Sequence, residues 1–60
     1  GDVYKRQHHV AVIEAGCRLQ MGDEARARQL IEGLSALGNE LSSHDRRLLG
    51  EIVEDLESLE

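Results

Sequence analysis

The 60-residue chain contains no Phe, no Trp and no Pro, and it has one Tyr, one Cys and one Met. Each shortage excludes something. Aromatic side chains bury the most area apiece, and without them the core must be built from smaller aliphatic units. A chain this short buries only about 60% of its unfolded surface, and a core of that size supplies about 3–5 kcal/mol. The piece is therefore marginal as an independent domain and suits a setting with neighbours. One Cys cannot close an internal disulfide, which leans towards a reducing compartment and a cytoplasmic location. No apolar run approaches membrane-spanning length, so no membrane role is expected. Lys and Arg total 7 against 12 Asp and Glu, a net charge of −5. That acidic balance argues against nucleic acid, whose phosphates need clustered cations.

The only Lys and the only Tyr both fall in the opening "GDVYKRQ". This run back-translates as GGA GAT GTG TAT AAG AGA CAG, which resembles the transposon-end adapter of fragmentation-based sequencing libraries. Residues 1–7 are accordingly read as a non-native, adapter-derived segment and set aside from fold reasoning. The native part is then 8–60, a metagenomic fragment cut near His8. Losing Lys5, Arg6 and Asp2 moves the net charge from −5 to −6. What remains is rich in Arg, Ala, Gly, Leu and Glu without Lys, a composition that points to a GC-rich bacterial genome.

Apolar spacing predicts three helices, over about 8–21, 24–37 and 43–59, and no strand-like alternation. In the first, Val10, Ile13, Cys17 and Met21 form one stripe, with Val12, Ala15 and Leu19 beside it. Gly22 breaks the chain, and Asp23 is a good N-cap for the second helix. There Ala27, Leu30, Ile31, Leu34 and Leu37 share a face, with Gly38 and Asn39 as the C-terminal stop. Gly33 costs about 1 kcal/mol in mid-helix, for which close backbone packing would account. Ser42 and Asp45 have capping-box spacing at the head of the third helix. Leu48, Leu49, Ile52, Val53, Leu56 and Leu59 then recur at helical intervals. The expected fold is all-α: an antiparallel hairpin plus a third amphipathic, capping helix.

No residue set carries reaction chemistry. His8 and His9 are adjacent and point about 100° apart on a helix, whereas helical metal pairs want i,i+4 spacing. They read as solvated histidines. Cys17 lacks the basic surroundings that activate a thiol and reads as a small core or groove residue. His44 and Asp45 have no nucleophile with them, and Asp45 suits a helix N-terminal turn. Glu51, Glu54, Asp55, Glu57 and Glu60 crowd the last turns of the third helix, where they oppose the macrodipole. They read first as a solvated face and second as a dock for a basic partner. The expectation is no enzyme, no cofactor and no metal.

One internal period stands out. Ala15–Gly16 and Leu49–Gly50 are related by 34 residues. Val12, Ala15, Gly16 and Leu19, followed by Ala27 and Ile31, have the spacing of the two halves of a tetratricopeptide repeat. The chain resembles that family over about 10–37, and weakly over 42–53. It departs from it in having Val12, Leu19 and Ile31 at the usual aromatic positions, a turn one residue short, no closing Pro, and Arg46 at the first large position of the second copy. Residues 42–60 therefore read as a capping helix, not a second repeat. The resemblance implies that Gly16 and Ala27 allow close backbone approach, with Val12, Ala15, Leu19 and Ile31 packing around them. It also implies a ligand groove lined by Val10, Ile13, Cys17 and Gln20. That set lacks the Lys and Asn with which some members clamp a partner's carboxylate, and better suits an apolar peptide or a neighbouring helix. The implied function is protein–protein interaction, as the C-terminal fragment of a helical array. The partners would be a protein, a peptide or the missing neighbouring repeats. The alternative is a free-standing three-helix regulatory or dimerisation module, whose open apolar face pairs with a second copy; weak self-association is the remaining partner expectation.

Overall fold

A computed structural model of the chain describes residues 2–59. Gly1, the head of the adapter-like run, and Glu60, counted in the acidic cluster, lie outside the described residues. Three α-helices, α1 (Asp2–Gln20), α2 (Glu24–Ser35) and α3 (Ser43–Ser58), are joined by a tight turn and a 3-10 turn (Gly38–Glu40). No strand occurs among the described residues.

The joints follow from local chemistry. Gly22 takes φ +86°, a left-handed conformation that costs a side-chain-bearing residue about 1–2 kcal/mol. It closes a Schellman motif: Asp23 N donates to Arg18 O at 2.9 Å and Gly22 N to Leu19 O at 3.1 Å. The Asp23 carboxylate then accepts from Arg26 N at 3.2 Å and starts α2. With so short a turn, α2 runs back antiparallel along α1. The second stop is also glycine-borne, Gly38 standing at φ +54°. Ser42 Oγ accepts from Asp45 N at 3.1 Å and opens α3.

Two helix boundaries differ from expectation. α1 begins at Asp2, not near His8, because residues 2–7 contain no Pro or internal Gly. Helix propagation adds one hydrogen bond per residue until something stops it. Val3–Gln7 are nonetheless all exposed, with Val3 and Tyr4 each retaining 67% of their accessibility. α2 ends at Ser35 and gives way to the turn that positions Leu41.

The core comprises Val12, Ala15 and Leu19 from α1, Ala27, Ile31 and Leu34 from α2, and Leu41, Leu49 and Leu56. Of the two stripes on α1, the one centred on Val12 is buried. The other stays outside, with Val10 59%, Ile13 48% and Met21 73% exposed. Ala15 and Ala27 are both fully buried, so side chains that end at Cβ take part in the α1–α2 contact beside Leu19, Ile31 and Leu34. Gly16 does not serve that contact. A Cβ there would meet Ile52 Cδ1 of α3 at 3.4 Å, an ordinary side-chain contact and no backbone approach. Gly33 would meet nothing within 4 Å, so close packing does not account for it either.

The accessible surface is 4308 Å², against about 3,900 Å² for a typical compact protein of this mass. The excess fits a molecule measuring 35 × 16 × 15 Å whose α1 runs on past the core.

Candidate functional site

Where α1 lies against α3, a shallow groove of about 220 Å³ remains open. Its α1 wall is Val12, Ile13, Gly16, Cys17 and Gln20, and its α3 wall is Leu48 and Ile52. The missing side chain at Gly16 contributes to the depression, with Ile52 as its nearest neighbour across the gap. Three of the four residues expected to meet a partner, Ile13, Cys17 and Gln20, thus come together here. Val10 does not. It faces outward, 59% exposed, in a separate shallow surface with Val3, Arg6 and Gln7. Leu48 and Ile52 were readable from sequence only as helical apolar positions. Their place in the wall depends on how α3 is rotated against α1.

The groove side of α1 carries no charge between Val10 and Gln20. The charged residues of that stretch, Glu14 and Arg18, lie on the α2 side. Glu14 Oε2 stands 3.5 Å from Arg18 Nε and 3.9 Å from Arg26 Nε, and Arg18 Nη1 stands 3.8 Å from Asp23 Oδ2. All are partly exposed pairs, each worth a few tenths of a kcal/mol. On α3, Glu51 and Asp55 follow Leu48 and Ile52 by three residues each. They stand one helical step outward, at the rim. Both are exposed, and neither makes an ion pair among the described residues.

Among the described residues one side-chain hydrogen bond joins α1 and α3. Asp45 is 3% exposed, and its Oδ1 lies 2.7 Å from His9 Nδ1. A carboxylate only accepts, so Nδ1 carries the proton and donates. His9 is therefore not a freely solvated histidine, and Asp45 forms only half of a capping box. Ser42 receives its backbone N–H, while its carboxylate turns to His9 and not back to the cap. His44 lies beside His9, ring centroids 6.1 Å apart and planes tilted by 34°, and takes no part in the hydrogen bond. The half-buried His8 has its Nδ1 enclosed with no hydrogen-bond partner. Contacts across 36 residues leave no trace in local spacing, which is why the His9–Asp45 pair was not foreseen.

Cys17 is free and exposed in the groove. Among the described residues no group of three or more His, Cys, Asp or Glu is placed to hold a metal ion. No helix among them is long and apolar enough to cross a membrane. The residues expected to pack as a repeat lie as follows: Val12, Ala15, Leu19, Ala27 and Ile31 in the core, Gly16 at the groove. Comparison of the chain with family models, curated proteins and solved structures finds no match in any of the three.

Proposed function

We propose that this chain is a protein–protein interaction module without catalytic activity, a tetratricopeptide-like helical pair followed by a capping helix. The observation that supports it is the uncovered apolar surface around Ile13, Cys17, Leu48 and Ile52. Ile13 keeps 48% of its accessibility although it sits between two residues of the core stripe, Val12 and Ala15. With Cys17, Leu48 and Ile52 it lines a contiguous apolar groove, the kind of surface that marks an interaction site. The burial of Val12, Ala15, Leu19, Ala27 and Ile31 together in the core supports the repeat-like character, whereas Gly16 lies at the groove and adds nothing to it.

Substituting Ile13→Glu puts a charge in the groove wall without touching the core. Pull-downs with the wild type, Ile13→Glu and a distant surface control, Gln29→Glu, test the proposal. Partners retained by the wild type and the control are expected to be lost from Ile13→Glu. Equal capture by all three overturns the assignment. Sedimentation run alongside separates the rival: a tight dimer that Ile13→Glu dissociates would make the module self-associating.

A further inference from the structure

The groove also indicates what kind of partner it would take. Resting on the interaction reading above, we infer that its occupant is an amphipathic helix whose apolar stripe is flanked by Lys or Arg. The floor is apolar: Val12, Ile13, Leu48 and Ile52, with the small Gly16 and Cys17 between them. A stripe of side chains at i, i+3, i+4 and i+7 matches a channel running between two helices. The rim selects the charge. Glu51 and Asp55 border the α3 wall with their carboxylates unpaired, while the α1 wall from Val10 to Gln20 offers only the neutral Gln20 at its edge. Arg47 stands about 100° round the helix from Leu48, further from the groove. Of the cations on or beside α1, Arg18 and Arg26 are engaged with Glu14 on the opposite side, while Lys5 and Arg6 stand in its first turns, ahead of the groove, with Arg6 on the separate surface of Val3, Gln7 and Val10.

A second copy of the chain fits less well. Pairing two copies would bring together molecules that each carry a net charge of −5. Like charges across an interface oppose association. A basic-flanked helix reverses that sign at every rim position.

Cys17 supplies the probe, being the only thiol of the chain and lying in the groove. Its alkylation by iodoacetamide can be followed with the whole protein in the presence of either of two synthetic peptides. One is a helix of about 18 residues with Leu on one face and Lys elsewhere; the other has Glu in place of Lys. The Leu/Lys peptide is expected to bind about tenfold more tightly than the Leu/Glu peptide, as two exposed charge pairs would give, and to slow Cys17 alkylation at saturation. Glu51→Lys with Asp55→Lys should abolish or reverse that preference. Glu32→Lys with Glu40→Lys, the same charge change away from the groove, should leave most of it.

Equal protection by both peptides would overturn the charge assignment while leaving the groove as an interface. Binding of the Leu/Lys peptide without protection of Cys17, or equal effects of the two double variants, would show general attraction to an acidic protein and also overturn it. Protection by neither peptide, with protection rising with protein concentration alone, would give the groove to a second copy. Protection under no condition would remove the interaction reading together with this one.

Discussion

His9→Ala tests the side-chain hydrogen bond that joins α1 to the first turn of α3. Asp45 is nearly inaccessible, and the protein group its carboxylate meets is His9 Nδ1, at 2.7 Å. A hydrogen bond to a charged group contributes about 1.5–3 kcal/mol, and a buried acceptor left without its donor loses its solvation as well. Two features pull the cost towards the lower end. The His9 side chain is 46% exposed, so its removal admits water to the carboxylate. Asp45 also stays in the first turn of α3, where the macrodipole favours negative charge. The expected loss is about 1.5 kcal/mol. That is a large share of the stability available to so small a core, and in a domain of this length it lowers Tm by roughly 6–12 °C. Thermal melts by circular dichroism at the helix band would read it. A double-mutant cycle with Asp45→Ala isolates the pair from the dipole and cap effects of Asp45 alone. A coupling under about 0.5 kcal/mol would refute the reasoning, because the hydrogen bond would then be holding nothing.

Two further outcomes follow from packing and backbone geometry. Leu41 is 3% exposed and lies outside every regular helix; Leu41→Ala is expected to cost about 2–4 kcal/mol in urea titration, and a loss under about 1 kcal/mol would show that it is not a core residue. The glycines should divide by conformation. Gly33→Ala, with open space and helical backbone, should stabilise by about 1 kcal/mol, whereas Gly22→Ala at φ +86° should destabilise by about 1–2 kcal/mol. Equal effects at the two sites would contradict the turn geometry.

Much of the architecture was legible in the chain because its determinants are local. The two glycine stops, the Asp23 and Ser42 caps and the helical spacing each involve residues within a turn or two of one another, where backbone sterics and hydrogen bonding decide the outcome. The candidate site was legible in part. Ile13, Cys17 and Gln20 are grouped by what the tetratricopeptide resemblance implies, and they do line one groove. Val10 satisfies the same spacing, yet α3 does not reach it, and Leu48 and Ile52 could not be assigned to the wall without the helix rotation.

Other features belong to tertiary structure alone. α1 offers two apolar stripes of similar character, and periodicity cannot say which is buried; that follows from where α2 and α3 come to rest. Leu41 has no periodic neighbours to mark it, and it is core only because the 3-10 turn delivers it beneath the helices. His9 and Asp45 meet across 36 residues, a separation at which only packing brings groups together. The sequence by itself determined that there are three helices and that glycine-borne turns separate them. The docking of those helices decided which face became core and which was left as a surface, since burial is a property of helices packed together and not of any one of them.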